Sequence, residues 1–218
     1  MKESISRDHR DSAAEPSAAS SVAPRAAPAA DAKRLWRATL LATRARLTAC
    51  APDAIAQLNQ RLADWLEEQD AHSLAFYWPT HGEPDLRETI VAWLARDTRR
   101  RAALPVIESA RAPLVFRGWT PDAPMRPGRY GIPVPAAGEI GMPALLLIPC
   151  VGFDARGYRL GYGGGFYDRT LAAATPRPRT LGVALDGCRV AALPNEAHDL
   201  PLDHVLTETG AIDTAAAR

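Results

Sequence analysis

Residues 159–169 read Arg-Leu-Gly-Tyr-Gly-Gly-Gly-Phe-Tyr-Asp-Arg, and four of these eleven residues are glycine. The apolar run over residues 144–151 predicts a buried strand that ends in a turn just before this segment. Residues 167–174 predict a helix, because Leu171 and the three alanines after it favour helical structure. The order is therefore strand, glycine loop, helix. Glycine lets backbone amides approach a ligand and a helix N-terminus attracts anions, so this segment favours a phosphate group.

A glycine-rich hairpin or a helix cap without any ligand would produce the same glycines, and three further features favour phosphate. Arg159 and Arg169 flank the loop and can pair with phosphate oxygens. Asp168 falls in the first helical turn, where the helix dipole favours a carboxylate that could hold Mg²⁺. The loop also follows a strand, which is where ligands bind in open α/β sheets. The segment matches neither the P-loop pattern nor the dinucleotide-binding fingerprint.

The bulk composition restricts the class of protein. The chain has 218 residues, 47% of them apolar, and a formal net charge of +1. This near-neutral charge gives no large basic field, so we expect no nucleic-acid partner. We find no apolar run of about 18 residues and no apolar leader, so we expect a cytoplasmic protein without a membrane partner. Cys50, Cys150 and Cys188 show no metal-binding spacing and fit buried thiols in a reducing compartment.

The chain divides into a tail and one domain. Residues 1–31 are rich in Ala, Ser, Pro and charge, which predicts a disordered tail. A transit peptide is the alternative, and the acidic residues among the first fifteen argue against it. Residues 32–212 are expected to form a single α/β domain. Its predicted architecture is a three-layer sandwich in which helices flank a mixed, mostly parallel sheet, and we expect a monomer.

Hydrophobic periodicity gives the elements of this domain. Helices are predicted over residues 32–48, from Pro52 to Leu66, and from Asp85 onward with Ile90, Val91 and Leu94 facing inward. Strands are predicted over residues 73–78, 102–107, 114–119 and 180–185, with a last strand near the C-terminus. Residues 121–141 are rich in proline and glycine and are expected to form a binding loop without regular structure.

Several polar residues allow more than one interpretation. Lys33 and Arg37 are four apart and share a helix face, which a solvated basic surface explains without a ligand. Glu83 lies in a loop after a strand, where functional residues gather, and local sequence leaves its role open. Asp85 fits a helix cap better than a catalytic role. The cluster near the C-terminus (His198, Asp199, Asp203, His204) fits hydrogen-bonded loop residues better than a transition-metal site, and Asp199 suits a hard cation beside a phosphate.

Residues 159–169 resemble the signature of the 5-formyltetrahydrofolate cyclo-ligase family, also called methenyltetrahydrofolate synthetases. The resemblance extends from Lys33 to Glu208. Its further motifs are Lys33-x-x-x-Arg37, Glu83, Gly131-Ile132-Pro133-x-Pro135, Leu147-Ile148-Pro149-x-Val151-Gly152-Phe153-Asp154 and Pro194-x-Glu196-x-His198-Asp199-x-Pro201-Leu202-Asp203. Several spaced motifs in the same order are more specific than the glycines alone.

The resemblance implies an enzyme that depends on ATP and Mg²⁺. In that family, 5-formyltetrahydrofolate is converted to 5,10-methenyltetrahydrofolate with release of ADP and phosphate. The formyl oxygen is phosphorylated first. A neighbouring nitrogen of the folate then attacks the activated carbon, and phosphate leaves.

The resemblance also assigns roles to residues of this chain. Arg159 and Asp168 are expected to be catalytic, Glu83 to bind the pterin edge, and Asp168 and Asp199 to hold Mg²⁺. Residues expected to bind ATP are Lys33, Arg37, Arg159, Gly161, Tyr162, Gly163, Gly164, Gly165, Phe166 and Tyr167. This assignment replaces the solvated-surface interpretation of the first helix. From their positions, Tyr130, Trp119 and Phe76 are expected to offer aromatic surface to the folate.

Three positions depart from the family pattern. Some relatives carry a basic residue at the position of Tyr162, a lysine at that of Gly164 and a tyrosine at that of Phe166. Phosphate binding would therefore depend more on backbone amides and on Arg159.

Two other functions remain as alternatives. One is an ATP-dependent ligase that acts on another small amide or carboxylate, and the presence of Glu83 argues against it. The other is a folate-binding paralogue without turnover. That alternative predicts a broken Lys33 and Arg37 pair or a missing Asp168, and all three residues are intact.

Overall fold

The computed structural model describes residues 29–214. Most of the predicted tail, residues 1–28, lies outside this range. The helices of the described part are Ala29–Cys50 (α1), Pro52–Glu67 (α2), Arg87–Ala95 (α3) and Phe166–Ala173 (α4), with short 3-10 turns at Arg129–Gly131 and Asp186–Cys188. The strands are Ser73–Ala75 (β1), Arg101–Val106 (β2), Val115–Trp119 (β3), Met125–Pro127 (β4), Pro133–Pro135 (β5), Glu139–Ile140 (β6), Leu145–Pro149 (β7), Gly152–Phe153 (β8), Arg159–Leu160 (β9), Arg179–Val183 (β10), His204–Thr207 (β11) and Gly210–Asp213 (β12).

The main sheet has eight strands in the order β12-β11-β10-β7-β1-β2-β3-β6. Its central strands, from β11 to β2, pair in parallel. The outer pairs, β11 with β12, β2 with β3 and β3 with β6, are antiparallel. The prediction of a mixed, mostly parallel sheet is confirmed. Because β1, β2 and β7 run in the same direction, their carboxyl ends meet at one edge of the sheet.

The side chains of β7 point alternately to the two faces of the sheet and are buried on both, as expected for a central parallel strand. Leu145 and Leu147 pack in the same core cluster as the leucines of α2. Leu146 and Ile148 pack in a second cluster, with Leu171 of α4. Helices therefore cover both faces. Helix α2 suits this position because Pro52 opens it and because leucines recur on one face at positions 58, 62 and 66.

The connection over residues 121–141 is more regular than predicted. Strands β4 and β5 form a small antiparallel hairpin, and β6 extends the main sheet by pairing Ile140 with Phe116. Proline-rich segments can form such short edge ladders, where few backbone N–H donors are needed. The prediction of a loop without regular structure is therefore wrong. Strand β12, a short antiparallel return beside β11, was also not predicted.

Other differences are local. Helix α3 begins at Arg87, and its N-cap position is occupied by Leu86. Asp85 lies one residue earlier, and its carboxylate accepts a 3.0 Å hydrogen bond from the backbone N–H of Arg87. Val91 of α3 is exposed while Trp93 is buried, so the predicted inward position of Val91 is wrong. All three cysteines are free thiols; Cys150 and Cys188 are buried as expected, but Cys50 is exposed at the end of α1.

None of the helices within residues 29–214 combines the length and the apolar character that crossing a bilayer requires.

Close packing in the sheet predicts that Gly182→Ala destabilises the fold. A Cβ atom at Gly182, in β10, would lie 2.7 Å from Leu202 Cδ1 and 3.0 Å from Cys150 Sγ. Overpacking of this kind costs about 1–3 kcal/mol. We expect a loss of that size in the free energy of urea unfolding. The matched control is Gly141→Ala, where a Cβ would have no neighbour within 4 Å. Equal stability of the two variants would contradict the packing described.

Candidate active site

A cleft of about 890 Å³ opens at the carboxyl ends of β1, β2 and β7. Tyr77 and Trp78 follow β1, Ile107 follows β2 and Pro149 ends β7, and all four line it. Its remaining walls come from the first half of α1, the glycine loop between β9 and α4, the turn at Tyr130 and the segment 196–199. This is the sheet edge at which open α/β folds bind ligands.

The glycine loop requires glycine for two different reasons. Gly163 and Gly165 have φ angles of +93° and +63°, a region that other residues rarely adopt. Gly164 has no room for a side chain, because a Cβ there would lie 2.6 Å from the ring of Phe166. Gly165 is also the N-cap of α4. The loop therefore brings bare backbone and a helix N-terminus to the cleft, as the sequence predicted.

Two cations of α1 reach this loop and its surroundings. Arg37 Nε donates a 2.7 Å hydrogen bond to the carbonyl of Gly161, and burial lowers the pKa of Arg37. Lys33 Nζ contacts Asp199 Oδ2 at 2.6 Å and Glu196 Oε2 at 2.9 Å. Burial alone would lower the pKa of Lys33, but these carboxylates outweigh it and the net pKa is raised. Both residues line the cleft.

Arg159 and Asp168 form an ion pair on the same wall. Arg159 Nη2 lies 2.8 Å from Asp168 Oδ1, and Arg159 Nη1 donates to the carbonyl of Leu200 at 2.8 Å. The backbone N–H of Leu200 also donates to Asp168 Oδ1, at 3.3 Å. Asp168 is therefore joined to the residue next to Asp199. Asp168 and Asp199, the two expected metal ligands, both line the cleft, but the group of possible metal ligands found among the described residues contains Asp199 and not Asp168.

The acidic residues of segment 196–199 form a small cluster. One ligand atom each from Glu196, His198 and Asp199 lies within 4.8 Å of the others. The pKa of Asp199 is lowered: burial opposes ionisation, but the bonds from Lys33 and from the backbone N–H of Glu196 outweigh it. Asp203 and His204 have other contacts, since Asp203 accepts from Thr180 and His204 packs edge-on against Trp65. This supports the interpretation of those two as structural residues.

Glu83 lies buried at the opposite side of the cleft, with only 8% of its surface exposed. Its Oε2 accepts the backbone N–H of Thr80 at 2.8 Å and the Thr80 hydroxyl at 3.1 Å. Its Oε1 accepts the phenol of Tyr162 at 2.8 Å. Burial raises the pKa of Glu83, although the bonds from Tyr162 and Thr80 act in the other direction. Burial also raises the pKa of Tyr162 to about 12, so this phenol remains a donor.

Arg44 is a residue of this site that sequence reasoning missed. Its side chain is 1% exposed, Nη2 donates to Tyr162 Oη at 2.5 Å and to the carbonyl of His81 at 3.1 Å, and Nη1 lies 3.9 Å from Glu83 Oε1. Its Nε has no hydrogen-bond partner among the described residues. The available signal was spacing: Arg44 follows Lys33 by roughly three helical turns, so the two share a face of α1.

Some expected aromatic contacts are wrong. Phe76 and Trp119 are buried in the core, where their rings meet edge to face at 5.0 Å, and neither lines the cleft. Tyr130 does line it and is 71% exposed. Arg169 also lies outside the cleft lining, because it donates to the carbonyl groups of Gly164, Ala110 and Ala112. It therefore stabilises the glycine loop from outside the cleft, where it would not contact a bound phosphate.

Comparison with known proteins agrees with this architecture. The family model of the 5-formyltetrahydrofolate cyclo-ligase family matches residues 29–208. A 5-formyltetrahydrofolate cyclo-ligase of Haemophilus influenzae is 33% identical over 172 residues, which cover 75% of this chain and 90% of that protein. One of Escherichia coli K12 is 34% identical over 145 residues, covering 63% and 78%. The solved structure of Aquifex aeolicus 5,10-methenyltetrahydrofolate synthetase superposes with a TM-score of 0.69 at 26% identity, covering 84% of this chain and 92% of that one.

The fold and these matches define an α/β enzyme of the ligase class. The chain belongs to the 5-formyltetrahydrofolate cyclo-ligase family.

Because Glu83 is buried, we predict that its contribution to the free energy of unfolding depends on pH. Its pKa is raised above the usual 4.5, so the folded protein binds this proton more readily than the unfolded chain does. Stability therefore falls as pH rises from below 4.5 through the folded pKa. The amide of Glu83→Gln does not titrate, so this variant escapes the loss. Its free energy of unfolding, measured relative to that of the unsubstituted protein, should therefore increase over this rise in pH.

Denaturant unfolding at a series of pH values measures this difference. Glu139→Gln, which replaces an exposed carboxylate, is the control and should show no comparable trend. A difference between Glu83→Gln and the unsubstituted protein that stays constant with pH, or that moves the other way, would contradict the assigned effect of burial.

Proposed function

We propose that this protein converts 5-formyltetrahydrofolate to 5,10-methenyltetrahydrofolate, with ATP as the phosphoryl donor and release of ADP and phosphate. One observation carries the proposal: a glycine loop with basic neighbours and a buried carboxylate line the same cleft. The loop suits the phosphates of a nucleotide, and the carboxylate suits the N–H groups of a pterin. Membership of the cyclo-ligase family supports pairing these two ligands in one reaction.

The nucleotide is proposed to bind on the wall formed by α1, the glycine loop and the start of α4. Backbone amides of Gly161, Gly163, Gly164 and Gly165 would meet its phosphates, with Tyr162, Phe166 and Tyr167 around them. Lys33, Arg37 and Arg159 would supply positive charge. Guanidinium and ammonium groups suit this role because they form charge-assisted bonds to phosphate oxygens. Arg37 already contacts Gly161, so it lies beside the loop before any ligand arrives.

Mg²⁺ is proposed to bind between Asp168 and Asp199. The donor set fits this ion, because carboxylate oxygens are the protein ligands that Mg²⁺ prefers, and Glu196 offers a further one beside Asp199. When bound, the ion would neutralise charge on the phosphates. Lys33 now pairs with Asp199 and Glu196, so neutralising those carboxylates would release its ammonium group for the nucleotide.

The folate is proposed to place its pterin against Glu83. A carboxylate can accept charge-assisted N–H bonds from an aminopyrimidinone, and Oε1 of Glu83 keeps one acceptor position beside the bond from Tyr162. Tyr130 would contact the folate from the cleft rim, where it is exposed. Trp78, which lines the cleft and carries the Arg87 guanidinium 4.6 Å from its ring centre, offers a second aromatic surface.

The proposed chemistry has two steps. The formyl oxygen attacks the terminal phosphorus of ATP, the bond from that phosphorus to the bridging oxygen breaks, and ADP leaves. The second folate nitrogen then attacks the activated formyl carbon, loses its proton, and closes the ring as phosphate departs with the former formyl oxygen. An amide oxygen is a poor leaving group, and phosphorylation makes it a good one. Positioned cations favour the first step because charge builds on the phosphoryl oxygens.

Arg159 and Asp168 are proposed as the catalytic pair. The guanidinium of Arg159 is nearly buried and is fixed by Asp168 and by the Leu200 carbonyl, so it needs little reorganisation to stabilise a phosphoryl group. Residues 32–212 are proposed to act as one domain and as a monomer. The free cysteines suit the cytoplasm.

The test of this function is the absorbance of the methenyl product in the near-ultraviolet, where its conjugated bridge absorbs and the formyl substrate does not. Purified protein is mixed with 5-formyltetrahydrofolate and Mg²⁺, with and without ATP. We expect an absorbance rise that needs ATP. ADP release with a different acceptor would point to another ligase activity, and tight folate binding without either signal would point to a non-catalytic protein.

Removing the carboxylate of Asp168 should cripple turnover. We expect Asp168→Ala to lower kcat about 100-fold or more, because it loses a proposed metal ligand and releases Arg159. The absorbance assay measures the loss, and thermal unfolding checks that the fold is intact. Asp122→Ala, at an exposed position outside the cleft, is the control and should retain activity. Unchanged rates of Asp168→Ala at saturating Mg²⁺ would remove its assigned role.

Removing the carboxylate of Glu83 should weaken the binding of folate much more than the binding of nucleotide. We expect Glu83→Ala to weaken 5-formyltetrahydrofolate binding roughly tenfold or more, because the charged acceptor of the pterin N–H is lost. Binding of a non-hydrolysable ATP analogue should change much less. Isothermal titration calorimetry measures both affinities, with Glu139→Ala as the exposed-carboxylate control. Equal losses for both ligands would count against the pterin assignment.

A further inference from the structure

The phenol of Tyr162 joins two parts of the cleft, the glycine loop and the turn that carries Glu83. It accepts a hydrogen bond from Arg44 Nη2 at 2.5 Å and donates one to Glu83 Oε1 at 2.8 Å. Arg44 and Glu83 are both buried, whereas Tyr162 is 43% exposed. Tyr162 is therefore the exposed member of this trio, and it reaches the buried pair from the cleft side.

The backbone of Tyr162 belongs to the glycine loop. Gly161, before it, accepts the 2.7 Å bond from Arg37, and Gly163, after it, has a φ angle of +93°. A Cβ at Gly163 would lie 3.5 Å from Arg37 Cζ, so the loop and this guanidinium are in close contact. A ligand that binds Arg37 and the loop amides therefore acts on the segment that carries Tyr162.

The side chain of Glu83 has little acceptor capacity to spare. An ionised carboxylate offers about four lone-pair positions, two on each oxygen. Two donors from Thr80 occupy Oε2, and Tyr162 occupies one position on Oε1. Arg44 Nη1, at 3.9 Å, is too distant from Oε1 for a hydrogen bond. Among the described residues, Tyr162 is thus the donor that fixes Oε1, and how Oε1 meets a ligand depends on it.

We propose that Tyr162 is a positioning residue that couples the two ends of the cleft: a nucleotide on the glycine loop strengthens folate binding at Glu83 through the Tyr162 phenol. The inference rests on the proposed function. A nucleotide orders the loop and keeps the phenol on Oε1. The carboxylate then stays aligned and ionised, with its remaining lone pair available to a folate N–H. By thermodynamic reciprocity, folate strengthens nucleotide binding by the same factor.

The test compares folate affinity with and without bound nucleotide. Calorimetry gives the Kd of 5-formyltetrahydrofolate for the full chain, alone and saturated with a non-hydrolysable ATP analogue and Mg²⁺. For the unsubstituted protein we expect the analogue to tighten folate binding about fivefold or more. Tyr162→Phe removes only the hydroxyl, so the analogue should change its folate affinity less than about twofold.

Tyr158→Phe is the matched control. Its ring packs against the core cluster that includes Leu40, lies beneath Arg156 and does not line the cleft, so removing its hydroxyl should leave the coupling factor unchanged. Thermal unfolding confirms that both variants fold. A Tyr162→Phe protein that retains the full coupling factor would overturn the proposal. So would equal folate losses with and without the analogue, because Tyr162 would then be a simple folate contact.

The same experiment separates this inference from the proposed function. If the unsubstituted protein binds both ligands and forms the methenyl product, but the analogue leaves its folate affinity unchanged, only the coupling is wrong. If it binds neither ligand and forms no product, the proposed function fails and the coupling fails with it.

Discussion

The carboxylate of Glu83 lies buried at the end of β1, where an ionised group is stable only if donors surround it. Its donors come from separate parts of the chain: Thr80 from the adjoining turn and Tyr162 from the glycine loop, with Arg44 of α1 close by. Satisfying this one charge therefore draws α1, the first strand and the loop together. Burial raises the pKa of Glu83, so keeping this carboxylate ionised lowers the stability of the fold. Functional sites commonly carry such a cost in stability.

The opposite wall of the cleft is organised by the same need to balance charge. Lys33 pairs with Asp199 and Glu196, and Arg159 pairs with Asp168, so the cations and carboxylates of this wall balance one another. A nucleotide with a divalent cation brings both signs of charge. It can therefore replace these pairs with equivalent ones, without leaving a buried group unpaired. The two walls are joined by Tyr162, which lies in the loop on one side and contacts Glu83 on the other.

Local signals in the sequence were sufficient for much of this description. The strand, glycine loop and helix over residues 144–174 were predicted because apolar runs, glycines and helix formers act over a few residues. The burial of Arg44 was not, because it depends on Glu83 and Tyr162, which are distant in sequence. Phe76 and Trp119 were misplaced for a related reason: an aromatic residue near a strand end can face either the core or the cleft, and only packing decides. The hairpin of β4 and β5 was missed because its prolines obscure strand patterning.

In the proposed reaction, a phosphoryl group is transferred in this cleft to the formyl oxygen of the folate. Substrate carrying a heavy oxygen isotope in the formyl group tests it most directly. The protein is incubated with this substrate, ATP and Mg²⁺, and mass spectrometry then locates the isotope. We predict that the heavy oxygen appears in the released inorganic phosphate, at one atom for each methenyl group formed. Heavy oxygen in water, with unlabelled phosphate, would contradict the account, because the formyl oxygen would then have left without being phosphorylated.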